Sequence, residues 1–259
     1  MDSTCAAQTP WGMDTLQLSM VVVVFVLAGG VKGVTGMGLP TVAMSLLGLW
    51  MQPVQAAALL VIPSLATNVA QCCGPHLRSL ASRMWPGWLA MAIVTVSAPG
   101  LGGAVQLPWA KAWLGGILMA YGLWGLWRPH LPDLSRSSQW LSVLAGTATG
   151  LVTALTAVFV LPWVPYLQTL RLSKDEMVQA LGLSFTVATL SLAVRVQMSA
   201  PFESGSADLA IALGGALIGA FGGLKLGEVL RGRLAGPAFQ KALFVIFVAL
   251  GAANLIQAL

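Results

Sequence analysis

Lys32 stands inside an otherwise uncharged apolar stretch that opens at Leu16 and runs through Val21-Val22-Val23-Val24. Its surroundings read Val31-Lys-Gly-Val-Thr-Gly-Met-Gly-Leu-Pro40. At membrane depth an ammonium costs about 2.5–3.5 kcal/mol even on a lenient insertion scale, so it needs a partner or a task. Glycines on both sides and a following proline predict a helix break. Broken backbone at that depth is tolerated only where it is buried in protein or lines a cavity. The combination fits a site for a small anion. Half-helices starting near Leu39 and Ala154 would aim unpaired N–H groups and the positive ends of their dipoles at one point. Gly33, Gly36, Gly38 and Gly150 lack a Cβ and would let backbone approach the anion. Thr35, Thr41, Thr153 and Thr156 can donate hydroxyl hydrogen bonds.

Further polar residues sit on later spans. Ser64, Thr67 and Asn68 form an i, i+3, i+4 stripe that either lines a path or joins helices. Ser184, with Thr186 and Thr189, shares the segment 177–198 with Arg195, a second candidate cation. Each residue has a plainer role to weigh against these. The glycines can pack helices, the threonines can bond their own backbone, and Arg195 and Lys225 can snorkel to an interface.

Composition limits the alternatives. The 259 residues are 57% hydrophobic and 8% charged, against about 25% charged in a soluble domain. The chain therefore reads as an all-α, polytopic membrane protein in a lipid bilayer, with no room for a soluble catalytic or nucleic-acid-binding domain. Its net charge of +5 is explained by topology-setting arginines without a nucleic-acid partner. Residues 1–15 carry Asp2 and Asp14 and no lysine or arginine, which argues against a secretory signal peptide. Cys5, Cys72 and Cys73 make a poor disulfide framework. His76 and His130 stand singly in loops, so no metal site and no cofactor is expected. HExxH, GxSxG and P-loop patterns are missing, so an enzyme is not expected.

Apolar runs divide the chain into 16–35, 39–51, 54–72, 85–106 and 110–127, then 140–158, 159–170, 177–198, 208–230 and 238–257. Most approach the roughly 20 residues that cross a bilayer. The segments 39–51 and 159–170 are too short, and each contains or abuts proline (Pro40; Pro162 and Pro165). Each short piece with its predecessor predicts a hairpin of broken helices. Positive charge collects at Arg78 and Arg83, Arg128 and Arg136, Arg171 and Lys174, and Arg231 and Arg233. The positive-inside rule makes these loops cytoplasmic and the N-terminus external, in a cell inner (plasma) membrane. Trp85, Trp88, Trp124, Trp127 and Trp140 then flank the cytoplasmic edge, and Trp11, Trp50, Trp109 and Trp113 the outer one. On this count 16–51 enters and returns from outside, whereas 140–170 starts and ends in the cytoplasm.

Two repeats of inverted topology follow: 1–128 and 139–259, joined by a cytoplasmic linker at 129–138. Each is a broken-helix hairpin and three spans. Weak internal matches agree: Val54-Gln55-Ala56 with Val178-Gln179-Ala180, Gly102-Gly103 with Gly222-Gly223, and Pro108, Leu114 and Gly122 with Pro237, Leu243 and Gly251. Such repeats are typical of secondary transporters, with the site where discontinuous helices meet.

The run Gly33-Val-Thr-Gly36-Met-Gly38-Leu-Pro40, with Gln55-Ala-Ala-Ala58 and the basic loop His76-Leu-Arg78, resembles the TauE/SafE sulfite-exporter family. Gly146-Thr-Ala-Thr-Gly150-Leu-Val-Thr153-Ala-Leu-Thr156 is similar in position in the second half. The resemblance covers nearly the whole chain and implies a transporter of sulfite, sulfonates or related small organic anions. The chain departs from the family pattern at Met37 and Leu39, and at Thr153 and Thr156, where glycines are common. The expected function is export of sulfite or an organosulfonate by alternating access. Import of a related sulfonate or carboxylate is the alternative within the class, and an intramembrane thiol or sulfur-transfer enzyme using Cys72-Cys73 the alternative outside it. A face rich in Gly and Ala could serve a homodimer.

Overall fold

A computed structural model describes residues 14–99, 110–127, 132–133, 139–199, 207–234 and 236–258. Among them are ten α-helices and no strand. In order they are α1 (Thr15–Thr35), α2 (Leu39–Leu47), α3 (Pro53–Cys72), α4 (Leu77–Ser97) and α5 (Ala110–Trp127). The second half holds α6 (Gln139–Thr156), α7 (Trp163–Thr169), α8 (Lys174–Ser199), α9 (Ala207–Leu234) and α10 (Pro237–Ile256). The all-helical expectation holds. By length and hydropathy together, Thr15–Thr35, Lys174–Met198, Asp208–Arg233 and Ala238–Ile256 are long and apolar enough to cross a membrane. Cys5, Trp11, Gly102-Gly103, Pro108, Trp109, Arg128, His130, Arg136 and most of the 129–138 linker lie outside the described residues.

Two boundaries differ from the sequence reading. The fourth segment, expected at 85–106, is helical from Leu77 to Ser97. Arg78 and Arg83 therefore extend the helix rather than forming a loop, because long basic side chains tolerate a helix end that reaches polar surroundings. The second short piece, expected at 159–170, is helical only from Trp163 to Thr169. Pro162 lacks an N–H and takes the N-cap position, so the regular helix begins after it, with Val160 accepting the Val164 N–H at 2.8 Å.

The breaks share a local device. Gly36 ends α1 in the left-handed region (φ 81°), its N–H donating to the Lys32 carbonyl at 2.7 Å. The Thr35 hydroxyl lies 2.8 Å from the Val31 carbonyl and accepts the Met37 N–H at 3.3 Å. In the second half Ala157 takes the left-handed position (φ 56°) after Thr156. The Thr156 hydroxyl lies 2.8 Å from the Val152 carbonyl and accepts the Val158 N–H at 3.2 Å. Threonine therefore terminates both helices in the same way, satisfying one orphan group on each side of the break.

Packing between helices depends on close backbone approach. A Cβ on Gly29 or Gly33 would overlap the α9 backbone at Ala220 or Leu224, and one on Gly146 would overlap Gly87. These contacts join α1 to α9 and α6 to α4, each pair running parallel. Gly115 against Gly251, and Gly122 against Phe244, join α5 and α10 in antiparallel sense. Exchanging α1–α5 for α6–α10 converts the α1/α9 pair into α6/α4, and returns α3/α8 and α5/α10 to themselves. The interior carries Thr41, Ser64, Thr67, Asn68, Thr149 and Gln179, while Val23, Leu27, Ile218 and Val229 face outward. Polar inside and apolar outside suits a lipid solvent, where internal hydrogen bonds join helices and apolar surface has no reason to hide.

Candidate functional site

Lys32 sits one turn before the end of α1, is 2% exposed, and reaches α3 through its side chain. Its ammonium donates to the Thr67 hydroxyl at 3.0 Å and to the Asn68 side-chain carbonyl. Thr67 in turn donates to the carbonyl of Pro63, one turn earlier in α3, at 2.7 Å. Among the described residues no carboxylate lies within 4.0 Å of Lys32; the two ion pairs found there are His76–Glu176 at 3.9 Å and Lys225–Glu228 at 3.6 Å. His76 is therefore not isolated, as the sequence had suggested. Asn68 keeps one group unpaired, its buried Nδ2.

The α3 stripe extends one step beyond Asn68. Gln71 donates from Nε2 to the Gly36 carbonyl at 2.8 Å, tying α3 to the break, while its buried Oε1 has no partner. One residue on, the Cys72 thiol lies 3.2 Å from the Thr186 hydroxyl of α8. Gln179 of α8 donates to the carbonyls of Cys72 and Gly74, both at 3.0 Å, and accepts from the His76 N–H at 3.1 Å. The C-terminal end of α3 is thus held between the first break and α8.

The remaining sequence candidates separate into groups. Thr35 and Gly38 line a cavity of about 330 Å3 on the other flank of the break, with α5, α7 and α10. Thr41 lies in the first turn of α2, fully buried, and its hydroxyl has no partner. Gly36 faces the Arg231 guanidinium, and Gly33 packs on α9. Gly150 packs on Met91 and Val94 of α4. Thr153 and Thr156 donate to Thr149 and Val152 of their own helix, and Ser184 accepts from the Trp88 indole at 2.9 Å. Arg195 donates to the Val96 carbonyl at 3.1 Å, at the C-terminal end of α4. It lies nine residues along α8 from Thr186, about 14 Å of helix. Lys32, Asn68 and Gly36 therefore form one connected group, Thr35 and Gly38 adjoin it, and Arg195 belongs to another level.

Gln71 and Gln179 extend this group without having been singled out as candidates. Gln71 continues the 64, 67, 68 periodicity by one turn and was legible on that ground. Gln179 appeared only as a repeat match.

The sequence model of the family described as sulfite exporter TauE/SafE matches residues 21–254, nearly the whole chain. The chain belongs to this family. No curated protein and no solved structure matches it. TauE/SafE membership, with helices long and apolar enough to span, makes this a multi-pass membrane transporter for a small anion. The match takes in both breaks of the TauE/SafE chain, the one at Lys32 and the one at Ala157.

Proposed function

We propose that this TauE/SafE transporter exports sulfite or a small organosulfonate across the inner membrane by alternating access. The anion meets Lys32 and Asn68 beside the first break. The observation that carries this reading is the environment of the Lys32 ammonium: buried, held by a hydroxyl and an amide oxygen, with no carboxylate nearby among the described residues. Such a charge is poorly compensated by neutral dipoles alone, and an oxyanion would complete it. The unpaired Asn68 Nδ2 offers a further donor beside it. The unpartnered Thr41 hydroxyl in the first turn of α2 stands where that helix places its free N–H groups.

Alternating access fits a chain of two inverted halves. The antiparallel run of α5 against α10, and the exchange of α1/α9 for α6/α4, support that relation. The N-terminus is then external, and the basic ends of α4, α8 and α9 are cytoplasmic.

The test is flux from proteoliposomes loaded in turn with sulfite, sulfoacetate, thiosulfate, taurine and lactate. Efflux of a sulfur oxyanion that disappears in Lys32→Ala supports the reading; flux of lactate alone would overturn it. Cys72→Ser with Cys73→Ser should retain flux, because the thiols carry no step in transport. Loss of all activity in that double variant would instead favour a thiol-dependent reaction.

A further inference from the structure

Lys32 is buried, and the cavity walled by Tyr121, Phe244 and Phe247 reaches Thr35 and Gly38 but neither Lys32 nor Asn68. An anion therefore meets the ammonium only after an element beside it moves. α1 is poorly suited to that movement. Gly29 and Gly33 lie so close to the α9 backbone that a Cβ on either would overlap it, and interiors packed to that density resist separation. The C-terminal end of α3 is held differently. It meets α1 through side chains, Lys32 on Thr67 and Asn68, and Gln71 on the Gly36 carbonyl.

On its other side that end is fastened to α8 by polar groups. The buried Gln179 donates from Nε2 to the Cys72 and Gly74 carbonyls and accepts the His76 N–H at Oε1. One amide thus satisfies three backbone groups of the turn between α3 and α4, including an acceptor orphaned where α3 stops. The fit is close, since a Cβ on Gly74 would lie 2.6 Å from the Gln179 Oε1. About one turn along α8, Gly182 has no side chain, and a Cβ there would meet the Gln71 Cβ at 2.6 Å. A further turn along, the Thr186 hydroxyl lies 3.2 Å from the Cys72 thiol. Outside these contacts Glu176 faces His76 at 3.9 Å, and accepts the Ser173 N–H at 2.9 Å. Gly74 and Pro75 are exposed. Water is therefore at hand to replace these hydrogen bonds as they part, which makes their net cost small. Asn68 Nδ2 and Gln71 Oε1, buried without a partner in the closed arrangement, would gain one from the same water.

We propose that Gln179 is the latch of a gate. The last turn of α3 and residues 73–76 swing from α8 to admit the anion to Lys32, and close again before it is released on the far side. This rests on the anion-export reading above and supplies its moving part. Gln179 is a positioning residue, because it touches the turn and not the anion.

The experiment uses the full chain with Cys5→Ser and Cys73→Ser, which leaves Cys72 as its one thiol. Adding Thr186→Cys sets a second thiol opposite it, across the closed latch. Oxidation of the pair to a disulfide, followed by loss of free thiols, should stop sulfite efflux from proteoliposomes, and dithiothreitol should restore it. In a second arm, without Thr186→Cys, Cys72 is alkylated by a charged thiol reagent. Gln179→Met, which keeps the length of the side chain and removes its amide, should speed alkylation about tenfold. The same variant should lower maximal efflux while half-saturation by sulfite stays within about twofold. A static clamp predicts efflux unchanged by the disulfide and alkylation unchanged in Gln179→Met, and either result overturns the inference. The two readings fail separately. Sulfite efflux that continues through the locked protein sinks the latch and leaves export standing. No efflux from the reduced protein, with alkylation accelerated in Gln179→Met, sinks export and leaves a gate at this end of α3.

Discussion

Lys32 joins two requirements that usually conflict, burial and charge. Its partners Thr67 and Asn68 are neutral, so removing the lysine leaves no opposite charge stranded. Deleting a buried ion without a buried counter-ion relieves desolvation, and the fold should survive. Lys32→Ala is therefore expected at near-normal level in the membrane fraction, with substrate affinity about 10–100-fold weaker, the value of one hydrogen bond to a charged group. Loss of the protein from the membrane would identify Lys32 as a structural charge instead. The left-handed residues give a second prediction at this scale. Gly36 at φ 81° and Ala157 at φ 56° hold equivalent places after Thr35 and Thr156. Gly36→Ala should cost about 1–2 kcal/mol, since a Cβ is disfavoured there. Ala157→Gly should be near neutral, strain relief being offset by the greater freedom of the unfolded chain. Thermal unfolding in detergent, comparing the two variants, reads this contrast; equal losses would mean that the breaks are not locally alike.

Helices reveal where glycine serves packing and where it serves a site. Gly33 and Gly150 have a Cα facing backbone or a branched side chain of a neighbouring helix, whereas Gly222 has open space around it. Gly33→Ala should force α1 from α9 and destabilise by about 1–3 kcal/mol, while Gly222→Ala should be silent. Expression level and melting temperature of the pair measure this, and a stable Gly33→Ala with weakened substrate affinity would return Gly33 to the site. The same contrast marks what could be read in advance. The short helices and both breaks were legible, because Gly-Thr clusters followed by proline have one structural meaning at membrane depth. The Lys32–Asn68 grouping was legible in parts, as a lone lysine and as a polar stripe, but their contact was not. It depends on α1 and α3 both packing against α9, a choice that helical periodicity leaves open. The threonines of α6 show the opposite limit, since no spacing distinguishes a hydroxyl aimed at a ligand from one bonded to its own i−4 carbonyl. The aromatic cavity was invisible, because α5, α7 and α10 come together only through the tertiary pairing of the two halves.

At the scale of the whole molecule, the distribution of acids decides how transport can be driven. Asp14, Asp133, Asp175, Asp208 and Glu228 are exposed and Glu176 is half-buried at the start of α8, so the described interior contains no fully buried carboxylate to carry a proton or hold sodium. Its fully enclosed ionisable charge is Lys32. Such an interior predicts the membrane potential as the driving force. Moving one negative charge out of a negative-inside compartment is favoured by about 2.3 kcal/mol per 100 mV, a concentration ratio of about fiftyfold. Proteoliposomes with a potassium diffusion potential separate this from coupled transport. At fixed voltage, imposing a proton or sodium gradient should leave anion efflux unchanged within about twofold. At zero ion gradient, inverting the potential should reverse net flux. Efflux that follows the proton gradient while ignoring voltage would require a titrating group that moves with the substrate. Lys32 would be the first to examine, because a lysine that loses its proton as the anion departs turns a charged passage into neutral symport. The voltage experiment therefore tests the resting charge of Lys32 together with the direction of transport, and Lys32→Arg, which keeps the charge, should preserve the voltage dependence if any flux remains.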